Sequence, residues 1–316
     1  MKFSTRTDSF IHELRAQEFG ETSYHFINPL LGCETIDKKF LTQFPELEKT
    51  FQTTINKYLD ERKAKTVSVY FDTRDGNWLA INQKEKYFPA SLMKVPTMIA
   101  FYKLAESHPE ILTKKVVYTG SEDLNKIEYF KPAQTLVPGN SYTIEELIEH
   151  MILYSDNNAP NLLLENIDND YLTEVFSDIG LSIPADVKNS LADFITVKAY
   201  VNFFRVLYNA TYLNRALSEK ALFLLSKPDF PYGIQAGLPT NMQAARKFGE
   251  RNFANTDNNA TSDKELHDCG IIYYPKHPYM LCVMTKGTNF NDLGDVIKNI
   301  SGLTYKFVDS QNRGKD

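Results

Sequence analysis

A serine and a lysine stand three positions apart, at Ser91 and Lys94, where an apolar segment of the chain begins. A serine hydroxyl is a weak nucleophile until a base takes its proton, and burial beneath a helix start can lower the pKa of a lysine enough for it to be that base. The spacing places both groups on one helix face, whose first N–H groups would stabilise an oxyanion. The pair predicts acyl transfer through Ser91; the alternative is an N-cap serine beside a solvent-reaching lysine.

Two further polar motifs follow along the chain. Ser155 and Asn157 belong to a Tyr-Ser-Asp-Asn sequence between two predicted helices, where a short loop can point both side chains into a cleft. The same residue types are also good N-caps for the helix that follows. A Lys-Gly pattern then occurs twice, at Lys247 before Phe-Gly and at Lys286 directly before Gly.

Apolar periodicity predicts the elements that must position these residues. We expect a helix over 45–62, a hairpin of strands over 66–72 and 77–82, and an all-helical block over 91–227 with helices at 92–105, 143–154, 159–166, 171–179, 196–208 and 218–225. Strands at 243–248, 269–274 and 279–285 and a helix at 292–300 complete the chain. This order predicts an α/β (α+β) fold, in which both ends of the chain build one antiparallel sheet of about five strands flanked by helices.

Composition restricts the function. The chain has 316 residues, 42% of them hydrophobic, and a net charge of −5, without a basic block that would indicate nucleic-acid binding. Its three cysteines follow no metal-binding pattern. We expect acyl transfer through Ser91 to need neither a metal nor an organic cofactor. We expect Cys269 and Cys282 to be small apolar residues buried in strands, and the alternative of a disulfide bond between them stays open. Residues 1–20 contain no apolar run typical of an export signal.

The combination of Ser-x-x-Lys, Ser-Asp-Asn and Lys-x-Gly resembles the signature of class A β-lactamases and penicillin-binding proteins. The resemblance extends over about 45–303 and includes the phrases FPASLMKVP, YSDNNAPNLLLENI, ARKFGE and CGIIYYPKHPYMLCVMTKG. In that family two strands and a last helix follow the third motif. This order fits Lys247 and predicts that Lys286 is a solvated strand end.

The resemblance implies catalytic roles for Ser91, Lys94, Ser155 and Lys247, and substrate-binding positions at Asn157, Phe248, Gly249 and Glu250. Ser91 would be acylated after Lys94 takes its proton, and Ser155 would protonate the leaving nitrogen. Asn157 would bind the substrate's amide side chain, and the N–H groups of Ser91 and Glu250 would form the oxyanion hole. The implied substrates are β-lactams or D-alanyl peptides of peptidoglycan, which would relate the protein to antibiotic resistance. The implied protein is a monomer of the periplasm or cell envelope.

The resemblance also implies a division of the chain. Residues 1–44 would be an N-terminal extension, and 45–316 the serine hydrolase domain. Within that domain we expect an α/β lobe over 45–88 and 228–316 and a helical lobe over 89–227, with the active site in the cleft between the lobes.

Two departures from the family pattern affect the expected chemistry. The family's deacylating glutamate, in a Glu-x-x-Leu-Asn phrase, has no counterpart over 180–193. Asp186 or Asp193 are possible substitutes but fit surface or capping positions better, and Glu165 fits a structural role. Acylation without efficient deacylation is typical of a penicillin-binding protein.

Phe248 is the second departure, because the family has Thr or Ser there to bind the substrate carboxylate. Arg246 or Arg251 would then have to recognise that carboxylate, or the substrate is different. His267 and Asp268 resemble an acid-base pair, but no nucleophile adjoins them, which favours a structural role. A related esterase or amidase and a non-catalytic binding protein of the same fold are the alternative functions.

Overall fold

A five-stranded antiparallel sheet is the centre of the protein, in the computed structural model that describes residues 25–28, 44–73, 76–183, 192–252 and 263–313. Its strands are β1 (Thr66–Asp72), β2 (Trp78–Ile81), β5 (Ala244–Asn252), β6 (Lys264–Ile272) and β7 (Tyr279–Gly287). The spatial order is β2-β1-β7-β6-β5, so the early hairpin pairs with the last strand, and β5 lies at one edge. The predicted fold class is confirmed.

Two helices cover one face of this sheet. They are α1 (Pro45–Asp60) and α8 (Phe290–Asn312). The apolar stripe predicted for α1 is buried at Leu47, Phe51 and Ile55. Helix α8 continues twelve residues beyond its predicted end at 300, because Thr304 and Val308 extend its buried stripe.

The other face carries the helical lobe. Its helices are α2 (Lys94–Ala105), α3 (Ile144–Leu153), α4 (Asn158–Leu164), α5 (Asn169–Asp178), α6 (Val197–Tyr208) and α7 (Arg215–Leu225). Helix α2 is its centre, since every residue from 94 to 102 is buried. Helix α3 begins with a capping box, in which Thr143 and Glu146 each bond the other's backbone N–H.

The predicted all-helical block is wrong in one place. A hairpin of β3 (Lys115–Val117) and β4 (Ser141–Thr143) lies within it. Each strand has three residues, and all of them are at least partly exposed. Such short strands carry too few residues to show an alternating pattern.

Two apolar cores form on the two faces of the sheet, because successive strand residues point to opposite sides. In β1, Val69 faces the core beneath α1 and α8, whereas Tyr70 faces the helical lobe. Cys269 and Cys282 are buried on the helical side, as expected, but they are directly paired across β6 and β7 and form a disulfide. The expectation of two separate small apolar side chains is therefore corrected.

Residues 25–28, within the predicted N-terminal extension, are attached to the helical lobe. The backbone N–H groups of His25, Phe26 and Ile27 donate to the carboxylate of Glu219 on α7 at 2.7, 2.8 and 2.9 Å. The ring of Phe26 is buried against Tyr273. Residues 1–24 and 29–43 lie outside the described residues. Among the described helices, none is both long and apolar enough to cross a bilayer.

Candidate active site

Ser91 lies in a single 3₁₀ turn, Ala90–Met93, immediately before α2. The predicted helix thus begins with a tighter turn than expected, and the backbone N–H of Lys94 donates to the carbonyl of Ser91. In a 3₁₀ turn, residues three apart are eclipsed on one side. By this geometry Ser91 and the stem of Lys94 lie on the same side of the helix start.

The amine of Lys94 is buried at the end of that stem. Its Nζ donates to the carbonyl and the Oγ of Ser155 at 2.7 and 3.1 Å and to Oδ1 of Asn157 at 2.6 Å. Burial lowers the pKa of Lys94 to about 7, although the carboxylates of Glu128, Asp156 and Glu250 act to raise it. Near neutral pH this lysine is therefore divided between ammonium and neutral amine, and the neutral form can accept a proton.

Ser155 is held in an uncommon backbone conformation, with φ at 56°. A non-glycine residue in the left-handed region is strained by about 1–3 kcal/mol and needs support from its surroundings. Asp156 supplies it: its carboxylate accepts from Asn125 Nδ2, Asn158 N and Leu136 N at 2.8, 2.9 and 2.7 Å. These hydrogen bonds of Asp156 fix the loop in a conformation in which Ser155 contacts Lys94.

Lys247 reaches the same hydroxyl from the edge strand β5. Its Nζ donates to Ser155 Oγ at 2.9 Å, and its side chain is fully buried. Burial, followed by the nearby charge of Lys94, lowers the pKa of Lys247 well below its ordinary value. A hydroxyl has one hydrogen and two lone pairs, so Ser155 can accept from one amine while donating to the other. The three side chains can pass a proton along this line.

Gly249 permits the close approach of β5 to the turn that carries Ser91. A Cβ at this position would lie 3.0 Å from the carbonyl of Pro89 and 3.1 Å from Cγ of Leu92. Contacts this short would displace the strand from the turn. The glycine of the Lys-x-Gly motif is thus explained by packing next to the site.

Asn157 bonds to a residue that the sequence analysis did not single out, Glu128. Asn157 Nδ2 donates to Glu128 Oε1 at 2.6 Å. The Glu128 carboxyl is hydrogen-bonded to that of Glu250, which also accepts from the N–H groups of Tyr129 and Phe130 at 3.2 and 2.9 Å. Burial and the neighbouring Glu128 raise the pKa of Glu250 to about 8, so this pair holds a proton at neutral pH. No local pattern marks Glu128; only the fold brings it to the site.

Phe248 follows Lys247 on β5, and its ring centroid lies 4.2 Å from Nζ of Lys247. Its ring stacks on Phe230 with the centroids 3.8 Å apart and the planes 10° apart. Phe130 packs edge-on against Phe230, at 5.0 Å between centroids. These rings border a cavity of about 490 Å³. The position expected to bind a carboxylate is therefore part of an aromatic cluster.

Several other candidates lie outside this cluster. Arg246, considered above as a carboxylate receptor, is buried and donates to Asp268 Oδ2 at 2.8 Å and to the carbonyl of Phe230, so that suggestion is wrong. Arg251 lies over the ring of Phe88, with its guanidinium carbon 3.9 Å from the centroid. His267 is also buried, with Nε2 3.1 Å from the carbonyl of Phe88.

Lys286 is not the solvated strand end that was expected. Its Nζ donates to Asp193 at 2.7 Å and to Glu85 at 3.1 Å, and only 22% of its side chain is exposed. This network engages the carboxylate of Asp193. Glu165 is exposed at the end of α4, and Asp186 lies outside the described residues.

The chain resembles several solved structures and matches one family model by sequence. No curated protein shows a significant match to the chain. Among solved structures, PBP-A is 20% identical with a TM-score of 0.67, over 85% of this chain and 98% of that one. A beta-lactamase from Sphaerobacter thermophilus is 19% identical with a TM-score of 0.64, over 81% and 96%. One from Chitinophaga pinensis is 18% identical with a TM-score of 0.67, over 82% and 99%. At these identities the structures show a shared fold.

The sequence model of the beta-lactamase enzyme family matches residues 47–308, which is most of the chain. The match includes the turn of Ser91, the Ser155 loop and strand β5. This chain belongs to the beta-lactamase enzyme family.

Proposed function

We propose that the protein is a serine hydrolase in which Ser91 attacks a carbonyl and becomes acylated. Lys94 as neutral amine takes the proton of the Ser91 hydroxyl while the new O–C bond forms. The proton reaches the leaving atom through Ser155, which lies within hydrogen-bond distance of both Lys94 and Lys247. The observation that carries the proposal is this buried Lys94–Ser155–Lys247 line beside the turn of Ser91.

The oxyanion would be stabilised by backbone N–H groups. We propose those of Ser91 and Glu250, because Gly249 lets β5 approach the turn closely enough. Asn157 would hold the acyl side of the substrate once it exchanges its bond with Glu128 for one with the ligand.

The proposed substrates are β-lactams or D-alanyl cell-wall peptides. Support comes from the fold and from a solved structure of a PBP-A mutant as an acyl-enzyme complex with penicillin G, 19% identical to this chain. We further propose slow deacylation, because the carboxylate of Asp193 is engaged by Lys286 and Glu165 is exposed at the end of α4. A location in the cell envelope agrees with the Cys269–Cys282 disulfide, since such bonds persist in oxidising compartments.

A related esterase or amidase is the second candidate. The observation that favours it is the stacking of Phe248 on Phe230, where the family pattern has a hydroxyl for the substrate carboxylate. An apolar ring offers no hydrogen bond to a carboxylate.

Intact-protein mass spectrometry tests the proposal. The protein is incubated with benzylpenicillin and, separately, with 4-nitrophenyl acetate, and Ser91→Ala serves as the matched control. We expect a covalent adduct that Ser91→Ala lacks. A persistent penicillin adduct supports slow deacylation, whereas product release without an adduct supports turnover. A protein that forms no adduct with either reagent and releases no product from either is not a serine acyl enzyme, and a non-catalytic binding role replaces the proposal.

A further inference from the structure

An aromatic pocket adjoins the proposed catalytic residues at the edge of the sheet. We use this name for the cavity of about 490 Å³ whose rings are Tyr129, Phe130, Tyr154, Phe230, Tyr232 and Phe248. Phe130 lies across the pocket from β5, with ring centroids 5.2 Å from Tyr232 and 6.2 Å from Phe248. The walls are formed by rings from four separate segments of the chain, and large aromatic surfaces of this kind bind apolar and aromatic groups.

Two contacts connect the pocket to the proton-transfer line. The Nζ of Lys247 lies 4.2 Å from the ring centroid of Phe248 and 2.9 Å from Ser155 Oγ. Tyr154, which also lines the pocket, directly precedes Ser155 in the chain. The pocket therefore lies on the side of the site where Ser155 would protonate the leaving atom.

The charges around the pocket do not favour an anion there. Burial lowers the pKa of Lys247, which shifts this amine toward its neutral form, and its Nζ donates to Ser155 Oγ and to the carbonyl of Phe248. Arg246 is held by Asp268. Two of the residues that line the pocket are charged, Lys131 and Asp229. Lys131 is engaged with the carbonyls of Asn125 and Lys126, and Asp229 is an acidic residue, which does not attract an anion.

We propose that the aromatic pocket binds an uncharged aromatic group on the leaving side of the substrate, so that the preferred acyl donors are neutral aryl esters and not compounds with a leaving-side carboxylate. This inference rests on the proposed acylation of Ser91 and decides between its two substrate classes. In the reaction, Ser91 Oγ bonds to the acyl carbon and the bond from that carbon to the aryl oxygen breaks. The Ser91 proton passes through Lys94 and Ser155 to that oxygen, and water later releases the acid.

A matched pair of esters tests the preference. Methyl 4-acetoxybenzoate and 4-acetoxybenzoate carry the same acetyl group and the same ring, and differ in a neutral ester against a carboxylate. Release of the phenol is followed by absorbance, and kcat/KM is divided by the hydroxide-catalysed rate of each ester. We expect the neutral ester to be favoured at least about tenfold, because burying an unpaired carboxylate among rings is costly. Equal values, or a preference for the carboxylate, would overturn the inference.

Variants locate the preference in the pocket. Phe248→Thr introduces the hydroxyl of the family pattern and should reduce the ratio of kcat/KM between the neutral and the charged ester. Because Phe248 is buried, this change also removes packing in the core, and a second variant at the surface is needed. Tyr232 is 51% exposed at the rim, so Tyr232→Ala should leave the fold intact and raise KM for the neutral ester only. Trp78→Ala is the matched control, an exposed ring on β2 at the opposite edge of the sheet. If Tyr232→Ala keeps the wild-type ratio of kcat/KM between the two esters, the inference is contradicted.

The outcomes separate the two proposals. If Ser91 is acylated by neither ester nor by benzylpenicillin, the proposed function fails and the inference fails with it. If Ser91 is acylated but the esters react equally well, only the aromatic pocket loses its assigned role.

Discussion

The pH dependence of acylation should follow the protonation of Lys94. Burial lowers the pKa of this lysine to about 7 from an ordinary value of 10.5, against the opposing effect of Glu128, Asp156 and Glu250. Only the neutral amine accepts the Ser91 proton. The acylation rate should therefore rise with pH through about 7 and then level off.

The size of this rise distinguishes a buried lysine from an exposed one. With a pKa of about 7, the neutral fraction increases from roughly a tenth at pH 6 to about nine tenths at pH 8, an approximately tenfold change that ends in a plateau. With a pKa of 10.5 the same interval gives about a hundredfold change and no plateau below pH 9.

The assay is rapid mixing with benzylpenicillin or 4-nitrophenyl acetate, acid quenching, and mass spectrometry of the Ser91 adduct from pH 5.5 to 9. Lys94→Arg is the matched variant, because its guanidinium stays protonated; we expect a loss of about 10²–10⁴-fold in the acylation rate. A hundredfold rise without a plateau, or wild-type acylation in Lys94→Arg, would refute the assignment of Lys94 as the base.

Three further outcomes are expected. Glu128→Gln removes the largest charge effect that raises the pKa of Lys94, so the midpoint of the acylation profile should move to lower pH by about one unit or less; an upward shift would contradict this. In urea denaturation, the wild type should gain stability relative to Lys94→Met by about 1.4 kcal/mol per pH unit as pH rises from 7 toward 10, because the unfolded lysine binds more protons than the folded one; a flat difference would contradict the lowered pKa. Cys269→Ser should cost about 2–4 kcal/mol of unfolding free energy, since the bridge closes a chain separation of 13 residues, and a reducing agent should affect the wild type but not the variant.

Local regularities determined much of the fold from sequence. The apolar stripe of α1 and the capping box at Thr143 depend on spacings of three or four residues, and both are present. The placement of Ser91 and Lys94 on one side of the helix start is equally local, because the turn Ala90–Met93 leads directly into α2 at Lys94. The choice between Lys247 and Lys286 came from chain order in a resembling family, and the structure brings Lys247 to Ser155 while Lys286 bonds to Asp193.

Other features were not visible in the local pattern. The hairpin of β3 and β4 is too short and too exposed to alternate. The continuation of α8 depends on its packing against the sheet. The Cys269–Cys282 bond depends on the register of β6 against β7, which places the two residues directly opposite.

The sequence by itself therefore determined which residue types could carry acyl transfer and which elements bear them. The tertiary structure alone decided their chemistry, because a pKa depends on burial and on charges that are distant in the chain. Ser155 lies 61 residues from Lys94 and 92 from Lys247. The pKa of Lys94 is lowered by burial in the folded protein, and this effect is opposed by Glu128, a residue without any motif. The same physical reason applies to Phe248: its residue type excluded a hydroxyl, but only its stacking on Phe230 showed that the space is aromatic.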